Sequence, residues 1–206
     1  MTMERFERLA AIACPLPLAN IDTDQLIPAR FMKTPRAAGY GRFLLHDLRF
    51  DETGQPRPDF PLNQPRHDQA RILVARRNFG SGSSREAAVY ALWDYGLRCV
   101  IAPSFGDIFA SNAVKNGLLP AAVAEEDCEA LLSLLQDSVH PALVVDLADC
   151  TITFSSTVFP FTIDPVRRLQ LLNGWDDLDL TLRHRDEIAA FKASYGAAHP
   201  WARPDA

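Results

Sequence analysis

A chain of 206 residues, 48% hydrophobic and 23% charged, can bury a sizeable core and has the composition of a globular protein. Its net charge of -5 excludes a general nucleic-acid-binding surface, which needs a basic excess, and no apolar run approaches the roughly 20 residues of a membrane helix. Its four cysteines (Cys14, Cys99, Cys128 and Cys150) are scattered without a C-x-x-C pair, so neither a zinc knuckle nor a cluster-binding set is written in them, and reduced thiols in a cytosolic protein are expected.

The chain begins with a charged stretch and "LAAIACPLPLA", which loosely mimics a signal peptide. Two prolines and two early glutamates argue against that reading. Residues 10 to 28 predict a strand leading into a polar turn, "NIDTD". Residues 32 to 69 are rich in Pro, Gly, Arg and Asp with weak periodicity, and a connection that long is usually functional or mobile.

From Arg71 to Asp137 the pattern alternates strand and helix. "ARILVAR" is a strand, followed by a glycine-serine loop and a helix from about Ser84 to Tyr95 with Ala88, Ala91, Leu92 and Tyr95 on one face and Gly96 as its left-handed stop. "RCVIAPS", "GDIFASNAVKNG", "LLPAAVA" and "EEDCEALLSLLQDS" continue as strand, helix, strand and helix. Such alternation with short connections predicts an α/β fold with a parallel sheet and crossover helices. After Asp137, "ALVVDLADCTITFSSTVFPFTID" alternates as strands do, with a turn at Ala148-Asp149; the helices "PVRRLQLLNG" and "HRDEIAAFKASYG" follow. The expectation is one domain over 1-206 with a strand and helix extension from about 138.

The loop in "NFGSGSSREAAVYAL" sets two glycines, three serines and Arg85 before a helix, where free N–H groups and the helix dipole favour an anion. A P-loop needs Lys after its glycines, and the dinucleotide fingerprint needs a third glycine; Ser83 and Arg85 stand in their place. A glycine turn with a serine cap is the plain alternative. The residues also compose a carboxylate site: Gly80 and Gly82 let backbone approach a ligand, Ser83 and Ser84 sit at the positive helix end, and Arg85 offers a planar fork. "NIDTDQLIPARF" spaces Asn20, Asp22 and Asp24 like a calcium loop, but Gln25 and Phe31 stand where glycine and glutamate belong. A self-satisfied turn and a loop presenting polar groups to a ligand both remain open there. The histidines (His46, His67, His140, His184, His199) lack ligand spacing, and surface or capping roles are expected.

Taken in order, "NIDTDQLIPARF", "NFGSGSSREAAVYAL", "CVIAPSFGDIF", "NGLLP" and "LLNGWDDLDLTL" resemble the small-subunit family of 3-isopropylmalate dehydratases, the isomerases of leucine biosynthesis. The resemblance implies the three-layer β/β/α swivel domain of the aconitase superfamily. It also implies a cytoplasmic heterodimer with a large subunit that carries a 4Fe-4S cluster, none being bound by this chain. It makes Ser83 the proton-abstracting base and Arg85 the binder of a small dicarboxylate, with Gly82, Ser84, Thr23 and Asp24 as further substrate contacts. A mobile loop of about Lys33 to Arg42, including Thr34, Arg36 and Tyr40, would choose the substrate. The family's histidine after Ser-Ser-Arg-Glu is Ala87 here, expected one helical turn from Ser83 on the same face. That departure keeps citramalate, dimethylmalate or homoaconitate open as the acid, and a non-catalytic anion-binding module is the reading from another class.

Overall fold

The computed structural model describes residues 3–202. Seven strands form one mixed sheet in the order β4-β3-β2-β1-β5-β6-β7. The strands are β1 (Arg8–Leu16), β2 (Ile72–Ala75), β3 (Cys99–Ala102), β4 (Leu119–Ala122), β5 (Ala142–Asp146), β6 (Thr151–Phe154) and β7 (Thr157–Pro160). Strand β1 joins two halves of different character. Its first residues run antiparallel to β5, from Arg8 against Asp146 to Ile12 against Ala142, and its last run parallel to β2, from Ala13 against Ile72 to Leu16 against Ala75. Beyond β7 the chain returns to the opposite edge, where Ala122 and Thr162 exchange backbone hydrogen bonds of 3.1 and 2.7 Å, so the sheet curls toward closure.

The parallel strands β2 and β3 are buried at every position, as strands covered on both faces must be. Alternate side chains then enter two cores. Leu73, Ala75, Val100 and Ala102 face α3 (Glu86–Tyr95) and one side of α4 (Asp107–Lys115). Ile72, Val74, Cys99 and Ile101 face α5 (Glu125–Asp137), and Leu143, Val145, Ile152 and Phe159 of the antiparallel half close over that second core. The remaining helices are α1 (Thr23–Leu26), α2 (His46–Arg49), α6 (Pro165–Asn173), α7 (Asp177–Leu182) and α8 (Arg185–Ala198).

Each expected strand and helix of the alternating unit is present, and Gly96 ends α3 at φ 114°. Two boundaries differ. Helix α3 begins at Glu86 rather than Ser84, because Arg85 is extended and Gly82 turns the chain at φ 97°. The polar turn after β1 is itself a helix start: the Asp22 carboxylate accepts from the Gln25 N–H at 2.7 Å while the Gln25 side chain accepts from the Asp22 N–H at 2.9 Å.

The long connection holds a series of short helical turns fixed by non-local contacts. Arg49 is buried, donating to the Asn63 side chain at 3.1 Å and to the Leu44 carbonyl at 3.3 Å. His67 is fully buried, against the expected surface or capping role, and its Nδ1–H donates to the Pro61 carbonyl at 2.8 Å. Burial lowers the His67 pKa, so its contribution to stability is complete above the ordinary histidine range and is lost as pH falls through it.

Candidate functional site

Loops leaving the carboxyl ends of β1, β2 and β3 join through their backbones, at the end of an open parallel sheet where ligands usually bind. The Gly80 N–H donates to Ile21 at 2.7 Å, the Thr23 N–H to Ser81 at 2.9 Å, and the Gly106 N–H to Phe79 at 2.9 Å. Beneath them Phe79 is fully buried, its ring 5.3 Å from that of Phe109 and 6.3 Å from that of Phe105. Gly80 has to be glycine: its φ is +72°, and a Cβ there would lie 2.2 Å from Phe109 Cγ.

This platform lifts Gly82, Ser83 and Ser84 into solvent. Thr23, only 1% exposed, holds Ser83 from below. Its hydroxyl donates to the Ser83 carbonyl at 3.2 Å, accepts from the Ser83 N–H at 3.2 Å, and lies 3.4 Å from Ser83 Oγ. With its one hydrogen used on the carbonyl, Thr23 Oγ1 accepts from the Ser83 hydroxyl and so points that hydrogen. Arg85 lies just behind, its N–H donating to the Ser83 carbonyl at 2.8 Å and its guanidinium paired with the Asp24 carboxylate. Asp24 is more than half exposed in that pair, so water screens it and another carboxylate can replace it at little cost. The first N–H groups of α3, those of Glu86 and Ala87, have no acceptor among the described residues and add positive potential beside Ser83.

The arrangement therefore brings together Thr23, Asp24, Gly82, Ser83 and Arg85. Ser84 is alongside but caps nothing, since Arg85 is the residue preceding α3 and makes no side-chain cap bond. Ala87 is buried in the core under α3, and the extended stretch before Glu86 breaks the expected one-turn relation to Ser83.

The loop from Lys33 to Arg42 is fastened to the far half of α3. Arg36 grips Asp94 with both terminal nitrogens, at 2.5 and 2.9 Å, and lies 4.4 Å from the centre of the Tyr90 ring. The Tyr40 N–H donates to Asp94 at 2.7 Å and its hydroxyl to the Thr34 carbonyl at 2.9 Å. A Cβ on Gly41 would meet the Asp94 backbone at 2.6 Å, so this glycine serves close packing rather than the expected mobility. Lys33 and Arg42 are exposed. Asp94, nine residues after Arg85, lies about 14 Å along the helix from it. Sequence reasoning missed Asp94 as the loop's anchor and Thr23 as the support of Ser83; partners 60 positions apart leave no local signal.

The donor set of this chain does not fit an iron-sulfur cluster. Cys14, Cys99 and Cys128 are fully buried, and burial pushes the Cys14 and Cys128 thiols up to about 12. Among the described residues no three His, Cys, Asp or Glu side chains are grouped to hold a metal ion.

The family model of the aconitase C-terminal domain matches residues 3–126, and that of the C-terminal domain of 3-isopropylmalate dehydratase small subunits matches residues 177–205. A 3-isopropylmalate dehydratase small subunit from Rhodospirillum centenum is 49% identical over 97% of this chain and 99% of its own length. A protein of the same description from Phenylobacterium zucineum is 48% identical over 97% and 98%. A crystal structure of a 3-isopropylmalate dehydratase from Methanocaldococcus jannaschii superposes with a TM-score of 0.64 over 89% of this chain and 99% of that one; at 24% identity it speaks for the fold. By the extent and identity of these matches, the chain belongs to the 3-isopropylmalate dehydratase small-subunit family.

Proposed function

We propose that this chain is the small subunit of a hydro-lyase that interconverts 2-isopropylmalate and 3-isopropylmalate by dehydration and rehydration. Ser83 is the base that takes the carbon-bound proton, and Arg85 holds a substrate carboxylate. The observation that carries this reading is the Ser83 hydroxyl raised on a glycine loop over Thr23, with the Arg85 N–H bonded to the Ser83 carbonyl and the Arg85 guanidinium paired with Asp24, the neighbour of Thr23. In the free chain Asp24 pairs with one terminal nitrogen of Arg85; an incoming carboxylate takes its place, and a two-point contact with the guanidinium fork orients the acid toward Ser83. Ser83 takes that proton as its alkoxide, its own hydroxyl proton having first passed to solvent, and the alkoxide is stabilised by the Arg85 charge and the free N–H groups of Glu86 and Ala87. Thr23 can turn its hydroxyl to donate to the alkoxide. Gly82 keeps the approach clear, and Ser84 offers a second hydroxyl to the acid.

Departure of the substrate hydroxyl calls for an electrophile, and none of the groups around Ser83 is suited to that role. This half of the chemistry belongs to a large subunit, where the 4Fe-4S cluster is expected. The Lys33 to Arg42 loop, docked beside Tyr90, forms the wall that would read the isopropyl group. Among the described residues no helix is long and apolar enough to cross a membrane, in keeping with a cytoplasmic enzyme.

The test is reconstitution. The chain alone should not turn over 2-isopropylmalate; mixed anaerobically with a cysteine-bearing large subunit from the same genome, it should gain that activity and prefer isopropylmalate to citramalate. Full turnover by the isolated chain would contradict the division of labour. No gain with any such partner would favour a non-catalytic anion-binding module.

A further inference from the structure

At the opposite end of the parallel sheet, Arg71 and Arg98 directly precede β2 and β3 and are tied together by a hydrogen bond of 2.8 Å from the Arg98 N–H to the Arg71 carbonyl. With Arg5 and Arg8 they line a cavity of about 150 Å³, roughly five water volumes, whose lining carries Glu4 as its one acid. Among the described residues none of the four guanidinium groups forms an ion pair, although the chain as a whole carries a net charge of -5.

Arg98 is the most confined of the four. Its guanidinium carbon lies 3.4 Å from the centre of the Trp93 ring, and one terminal nitrogen donates to the Trp93 and Leu97 carbonyls at 3.0 and 2.8 Å. Its Nε–H is buried with no acceptor among the described residues. Burial, and then the neighbouring Arg71 charge, make the Arg98 cation harder to hold than an ordinary arginine. One guanidinium beside another costs free energy when no carboxylate stands between them, and an oxyanion bound in the cavity offsets that repulsion.

We propose that this cavity is a binding site for a phosphate dianion, separate from the Ser83 site and independent of the reading given for it. The four-residue strands between the two ends span about 13 Å. Arginines reaching in from the starts of three strands and from the preceding segment surround a tetrahedral oxyanion, which accepts hydrogen bonds in several directions, better than a planar carboxylate edge. The Trp93 ring fixes the Arg98 plane, and Gly117 leaves room for that ring, since a Cβ there would sit 3.2 Å from it.

The probe is inorganic phosphate, titrated at constant ionic strength into the Arg85→Gln chain so that the substrate site cannot contribute, with the arginine Nε–H resonances followed by NMR. The expected result is a saturable shift of the Arg98 resonance with a dissociation constant on the order of 1 mM or tighter, and malonate binding more weakly. Arg71→Gln, at an exposed position, should weaken phosphate at least about tenfold while leaving the NMR spectrum folded. Absence of saturation, equal or tighter binding of malonate, or indifference to Arg71→Gln would each overturn the proposal.

Discussion

The two ends of α3 are built on opposite plans. At its start, backbone hydrogen bonds and buried phenylalanines support the glycine-serine loop, while Ser83, Ser84 and Arg85 are left free or held by exchangeable partners. Toward its end, the Lys33 to Arg42 loop is fastened from within, the Arg36 side chain and the Tyr40 N–H both converging on Asp94. A loop that must present reactive groups cannot spend them on its own anchoring, whereas a loop that must hold the shape of a wall can. The contrast separates groups that act from groups that place.

That separation can be broken most severely at Thr23. Thr23→Val keeps the shape and removes the hydroxyl under Ser83, so kcat of the assembled enzyme should fall by about 100-fold, the scale of a displaced reacting group. Thr23→Ser should restore most of it, which a merely structural role for the methyl group would not allow. Arg85→Lys keeps the charge but loses the fork, and KM should rise about tenfold with a smaller change in kcat. An unchanged KM would detach Arg85 from the carboxylate.

At the other end of the helix the effects should appear in stability and selectivity. Gly41→Ala forces a Cβ against the Asp94 backbone and should cost about 1–3 kcal/mol in denaturant unfolding, while shifting the preference between isopropylmalate and smaller malates. An equal loss on every acid would make the loop a general lid. The smallest change is expected at Ser84, which caps no helix: Ser84→Ala should stay within about 0.5 kcal/mol of the parent.

The parallel unit was legible because its signals are local: short β-branched runs, amphipathic helices and glycine stops such as Gly96 and Gly117. The start of α1 was also written locally, in the Asp22 and Gln25 capping pair, but a four-residue helix is too short for periodicity to reveal. The beginning of α3 was not legible, since Ser83 is held by Thr23 rather than by a helical turn, and that contact spans 60 positions. For the same reason the residues from 32 to 69 read as loose, whereas buried Arg49 and His67 fix them. Ser83 and Arg85 stood out by residue type and neighbourhood; the partners that orient them come from tertiary packing.

The central claim is that Ser83 takes the substrate proton. The most direct measurement is single-turnover dehydration of 2-isopropylmalate by the assembled enzyme carrying Ser83→Ala, with assembly and substrate binding measured on the same sample. The account predicts intact assembly, near-normal binding through Arg85, and a chemical step slowed by about 10²–10⁴-fold, the range of a lost general base. A chemical step within a few-fold of the parent, with assembly intact, would contradict it.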